Sequence, residues 1–145
     1  MLQTHMRPHY ETPEDLARER EAIERFAPQL GLRPEKVPWR YHFDFALVDD
    51  DGRIRAVVEV KNRTNAVGKF PTYMLSAEKY LNLYQWSSRG IPSYLLVQFL
   101  DGLYCHQVQE LPETYYVCGR RDRNDDDDIE PVVKIPIDRF SLVDD

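Results

Sequence analysis

The sequence predicts an α+β protein, a central mixed sheet flanked by helices. Three observations predict it. A capped amphipathic segment comes early in the chain, two apolar strand pairs each turn near an Asp-Gly dipeptide, and a second helical stretch lies between those pairs. At 145 residues the chain is most simply one domain, long enough to bury a core.

Residues 1–11 read as a loose lead-in. Thr12 offers an N-cap, Pro13 suits the first helical position, and Asp15 completes a capping-box-like pattern. The helix is expected to run to about Pro28, with Leu16, Ile23, Phe26 and Ala27 as its apolar stripe. Gly31 and Pro34 fall in the connection that follows. YHFDFALV, residues 41–48, alternates with period two and predicts a strand. Asp51 and Gly52 predict a hairpin turn, and RIRAVVEVK is the returning strand. Residues 62–72 read as a loop. A second helix over 73–88 places Tyr73, Ala77, Tyr80, Leu81 and Tyr84 on one face, and Gly90 stops it. IPSYLLVQFL and GLYCHQVQ form a second hairpin around Asp101 and Gly102. TYYVCG reads as a further strand, residues 120–128 as a charged loop, and residues 131–140 as a short strand with an extended tail.

Composition narrows the function classes. The hydrophobic fraction of 42% and charged fraction of 30% suit a soluble globular protein. No apolar run is long enough to span a membrane, and the polar N-terminus has no secretory h-region, so a cytoplasmic location is expected. Cys105 and Cys118 make neither a zinc spacing nor a disulfide framework and read as reduced, packed thiols. The net charge of -6 is unusual for a nucleic-acid partner. Seven of the acids, however, are Asp125 to Asp128, Glu130, Asp144 and Asp145, and the rest of the chain is nearly neutral. No Gly-rich phosphate loop and no Ser-His-Asp order appears. The acidic run lacks the spaced ligands of an EF-hand.

The AVVEVKNR stretch, residues 56–63, carries the chemistry. Alternate strand residues share a face, so Glu59 and Lys61 project side by side. A two-residue turn at Asp51 and Gly52 pairs Phe45 with Val58 and Leu47 with Ala56. It makes one side apolar throughout: Phe43, Phe45, Leu47, Ile54, Ala56, Val58 and Val60. The same register sets Asp44 directly opposite Glu59 on the other side. Facing like charges destabilise a strand pair unless a cation lies between them. Lys61 supplies part of that charge, and a hard Mg²⁺ ion would supply more.

Asp44, followed by Glu59-Val60-Lys61 on a hairpin that a helix precedes and a helix and strand follow, resembles the PD-(D/E)XK nuclease superfamily. The resemblance covers roughly residues 12–110 and extends to small stand-alone phage and prophage members. It implies a restriction-endonuclease-like core of helix, three strands, helix and strand, and hydrolysis of DNA phosphodiesters with Mg²⁺ or Mn²⁺. Asp44 and Glu59 match the metal-binding acids, Lys61 the catalytic lysine, and the Val60 carbonyl a further metal ligand. The residue before Asp44 is Phe43 where the motif has proline.

Many members add a glutamate from the first helix. Of Glu14, Glu19, Glu21 and Glu24, Glu19 lies nearest the apolar stripe at roughly 100° per residue and is the candidate; Glu21 and Glu24 stay open, and all four also fit a solvated helix face. Asn62, Arg63, Asn65 and Lys69 follow the catalytic strand and suit contacts to a nucleic-acid backbone, though an ordinary surface loop explains them as well. Lys79 is a candidate for a DNA phosphate or the site's edge; a solvated helix lysine is the plainer reading. Tyr80 and Tyr84 fit core packing better than base stacking. Arg120, Arg121 and Arg123 either touch phosphates or balance the acids beside them. His42 shares the Asp44 face. A homodimer would let two sites meet the antiparallel strands of a duplex. The alternative to a nuclease is the same fold serving as a binding module for nucleic acid or protein, without chemistry.

Overall fold

The structure, a computed structural model, describes residues 12–119 and 129–143. Helix α1 (Pro13–Phe26) starts where the sequence predicts. The Thr12 hydroxyl accepts from Asp15 N–H at 3.1 Å and the Asp15 carboxylate accepts from Thr12 N–H at 3.3 Å, a reciprocal capping box. A 3₁₀ turn (Ala27–Leu30) continues it, and Gly31 ends it at φ 69°. Ile23, Phe26 and Ala27 are buried, but Leu16 is 45% exposed and drops out of the expected stripe. It lies in the first turn, short of the sheet that the rest of the helix covers.

Six strands form the main sheet in the order β1 (Arg33–Lys36), β2 (Phe45–Val48), β3 (Ile54–Asn62), β5 (Ser93–Phe99), β6 (Gly102–Gln107) and β9 (Ser141–Leu142). β3 and β5 run parallel, and the other neighbours are antiparallel. The crossover between β3 and β5 holds β4 (Thr72–Ser76) and helix α2 (Ala77–Ser88). β4 joins β8 (Ile129–Pro136) and β7 (Tyr116–Gly119) in a second, antiparallel sheet.

The main sheet is covered on both faces. Ala22, Ile23 and Phe26 of α1, with Ala27 of the 3₁₀ turn, pack on Phe45, Leu47, Ala56, Val58, Val60 and Leu96. Tyr80 and Leu83 of α2, with Tyr73, Leu75, Val133 and Ile135 of the second sheet, pack on Ala46, Val57, Leu95 and Val97. Burial on both faces is why the two central strands, β3 and β5, read as near-continuous apolar runs. No helix among the described residues is long and apolar enough to cross a membrane.

Four elements differ from the sequence reading. The strand expected over 41–48 is paired only from Phe45 onward. Residues Trp39–Tyr41 make a 3₁₀ turn, and His42 adopts φ 65°, a left-handed conformation that takes the chain out of strand geometry. Phe43 therefore turns to the α2 face, edge-on to Trp86 at 5.7 Å, rather than joining Phe45. Second, the hairpin turn holds three residues, 50–52, not two. Asp49 N–H bonds Arg53 O, the Asp49 carboxylate accepts from Asp51 and Arg53 N–H, and Gly52 sits at φ 78°. The predicted register holds for Phe45, Ala46 and Leu47 opposite Val58, Val57 and Ala56, then slips so that Val48 faces Ile54, which is left 37% exposed.

Third, the second helix begins at Ala77, not 73. Tyr73 and Leu75 point into the core while Met74 is exposed, the two-residue period of strand β4. Fourth, β1 falls where a connection was expected. It is a short edge strand that accommodates Pro34 because one of its sides has no neighbour to bond. It supplies the third strand of the helix–three strands–helix–strand core. The charged loop over 120–128 and the lead-in over 1–11 lie outside the described residues. Both cysteines are free, and burial pushes the Cys105 thiol up to about 12.

Candidate active site

The site lies where β2 begins and β3 ends. Asp44 is one residue outside the β2–β3 ladder, yet its main chain is held on both sides: its N–H bonds Val58 O and its carbonyl accepts from Val37 N–H, both at 3.0 Å. The expected square pairing of Asp44 with Glu59 does not form, because the bend after His42 lifts Asp44 out of register. Its carboxylate instead reaches over the strand and accepts from Val60 N–H at 2.7 Å. The two acids remain electrostatic neighbours. Burial pushes the Glu59 carboxyl above its ordinary range, and the Asp44 charge pushes it further, while Lys61 and Lys79 pull it down.

The side chains form an alternating series of acids and lysines. Glu19 on α1 meets Lys36 at 2.6 Å, and Lys36 meets Asp44 at 3.5 Å. Glu59 meets Lys61 at 3.2 Å through one oxygen and Lys79 at 3.4 Å through the other. The acids form a floor: Glu19, Asp44 and Glu59 are all buried, Glu59 to 1% exposure. The three lysines are partly exposed and form the rim. An acidic floor under a cationic rim presents to solvent a surface suited to a phosphate, with hard oxygen donors beneath it.

The structure thus brings together Asp44, Glu59, Val60, Lys61, Glu19 and Lys79. Two features escaped the sequence reading. Lys36 sits on an edge strand without hydrophobic alternation, and only the β1–β2 pairing, which sets Lys36 opposite Phe45, carries it next to Asp44. The second is the clamp on the turn before Asp44. Asn82 of α2 donates to Tyr41 O and His42 O at 3.4 and 3.3 Å, and His42 meets Glu78 at 3.3 Å.

The loop candidates divide. Arg63 lies with its guanidinium 4.6 Å over the Tyr73 ring and its N–H on Gln98 O, so it is built into the fold. Asn65 is tied down through Ala66 O and Leu100 N–H. Asn62 ends β3 with its side-chain oxygen buried. Lys69 is exposed beside the exposed ring of Phe70. Tyr80 is core, its hydroxyl donating to Glu110 O at 2.7 Å.

Among the described residues no three His, Cys, Asp or Glu side chains converge on one point. The donor set is smaller, Asp44 and Glu59 with the Val60 carbonyl. It suits a hard divalent ion that takes one or two carboxylates and fills its shell with water and phosphate oxygens.

A helix, three strands, a helix and a strand on a mixed sheet, with acids and lysines gathered at the end of β3, define a restriction-endonuclease-like protein. Its fold is similar to that of Hjc, a Holliday junction resolvase from the archaeal hyperthermophile Archaeoglobus fulgidus. The TM-score is 0.56 at 17% identity, over 88% of this chain and 90% of that one. The chain belongs to the PD-(D/E)XK nucleases: the family described as "Phage putative PDDEXK endonuclease" matches residues 5–143. No curated protein matches it.

Proposed function

We propose that this chain is a divalent-metal-dependent deoxyribonuclease that hydrolyses phosphodiester bonds at the Asp44–Glu59–Lys61 site. The observation that carries the reading is the buried acid pair beneath half-exposed lysines. Asp44, Glu59 and the Val60 carbonyl would hold Mg²⁺ or Mn²⁺. When bound, the ion supplies Lewis-acid chemistry and lowers the pKa of a coordinated water. Lys61 orients the attacking water or offsets charge that develops on the phosphate. Lys79 holds the second oxygen of Glu59, which fixes the carboxylate's rotation. The Val60 N–H does the same for Asp44. Glu19 holds Lys36 at the rim of the site.

DNA is the proposed substrate; of the loop and helix candidates, the exposed Lys69 and the partly exposed Lys79 are the cations offered to its backbone, whereas Arg63 and Asn65 are engaged within the fold. A homodimer in the cytoplasm would place two such sites on the two strands of a duplex. The test incubates wild type and Lys61→Ala with linear duplex, single-stranded and branched DNA in Mn²⁺, Mg²⁺ or EDTA. Cutting by wild type alone, stopped by EDTA, is expected. Absence of cutting on every form, with no heat in a Mn²⁺ titration, would leave a binding module in place of an enzyme.

A further inference from the structure

Lys36 is the cation of this site that the reaction above does not use. Its ammonium lies between two buried carboxylates of different elements, Glu19 of α1 and Asp44 ahead of β2. The contacts are unequal: 2.6 Å to Glu19 and 3.5 Å to Asp44. The ammonium also lies 5.1 Å over the Phe45 ring. Asp44 is held through its other oxygen by Val60 N–H, so the oxygen facing Lys36 is the one with the weaker hold. The lysine side chain is 33% exposed, on a flexible stem at the sheet edge.

We propose that Lys36 is a built-in placeholder for the divalent ion. It neutralises Asp44 while the site is metal-free, and gives up its long contact to Asp44 when a divalent ion binds, staying anchored on Glu19. This rests on the metal-dependent reading above. Buried carboxylates without a counter-charge destabilise the fold. A protein that must fold before it takes up metal therefore needs a cation at that place, and one that can withdraw. Glu19 becomes the parking point of Lys36. It positions the lysine rather than ligating the metal.

The test compares wild type, Lys36→Met and Lys36→Arg, each with its metal removed. Mn²⁺ binding is read by calorimetry and melting is followed in EDTA and in Mn²⁺. Lys36→Met is expected to melt lower in EDTA and to gain more from Mn²⁺ than wild type. Its Mn²⁺ affinity is expected to rise on the order of fivefold, the factor that a unit charge at about 4 Å is worth even in water. Lys36→Arg keeps the charge and stays near wild type. A lysine with a merely structural role predicts the opposite, unchanged or weaker Mn²⁺ binding in Lys36→Met. Equal affinity in wild type and Lys36→Met overturns the placeholder while leaving the metal site intact; binding by neither overturns both. The Lys36 Cε resonance of wild type gives an independent reading that does not depend on a variant folding. It shifts with the calorimetric midpoint on Mg²⁺ titration, and a resonance that stays in place at saturation overturns the proposal.

Discussion

The carboxylate of Asp44 accepts a 2.7 Å hydrogen bond from the backbone N–H of Val60, the residue between Glu59 and Lys61. One contact thus ties the irregular turn before β2 to the strand that carries the other two site residues. It fixes the spacing of acids and lysine even though Asp44 has left the ladder.

That bond separates fold from chemistry. Asp44→Asn keeps an acceptor for the Val60 N–H and loses the charge, so cleavage should vanish while the melting temperature changes little. Asp44→Ala also leaves a buried N–H unpartnered, which costs about 1–3 kcal/mol. Denaturant titration of the two variants beside wild type checks the difference. Equal stability would mean that the bond holds nothing together.

Lys61→Ala removes the half-exposed ammonium of the Glu59 pair. Its effect should fall on the chemical step, about 10²–10³-fold in kcat, the usual loss for one electrostatic contact to a transition state. Single-turnover cleavage at saturating enzyme reads this directly. A change confined to DNA affinity would move Lys61 from catalysis to binding.

Glu59 predicts a conflict between stability and function. Burial raises its carboxyl above the ordinary value of 4.5, so the fold favours the protonated form. The stability it contributes is whole below that value and is lost as pH rises through the raised, folded-state pKa. In EDTA, Glu59→Gln should therefore melt higher than wild type at neutral pH, with the gap closing as pH falls through the raised pKa towards 4.5. Cleavage should be absent in the variant. A gap that stays constant with pH would show that burial does not disfavour this charge.

The two residues of α1 that the sequence places on one stripe should behave differently. Ile23 is fully buried against the sheet, and Ile23→Ala should cost about 2–5 kcal/mol. Leu16 is 45% exposed, and Leu16→Ala should stay within about 0.5 kcal/mol of wild type. Comparable losses would place the first turn of α1 in the core after all.

Local rules carried much of the way from sequence to fold. The capping box at Thr12 and Asp15, the stop at Gly90 and the pairing of Phe45 to Leu47 with Val58 to Ala56 depend on neighbours in the chain or on one turn. They were legible for that reason. Glu59 and Lys61 were legible as neighbours because alternate residues of one strand share a face, and Asp44 lies one residue outside the same hairpin's ladder.

What the sequence left open was decided by contacts between remote parts of the chain. The sequence reading put Tyr73 in the second helix, and pairing of β4 with β8, some sixty residues away, makes it a strand residue instead. The strand over Arg33–Lys36 has no hydrophobic alternation, and pairing with β2 alone makes it a strand. Lys36 and Lys79 reached the acids by the same route, one from the sheet edge and one from the second helix. The sequence by itself determined which acids and which lysine share a hairpin, because local backbone geometry sets that. Tertiary structure decided which further charges complete the site, because burying Asp44 and Glu59 requires counter-charge from whatever elements pack against them.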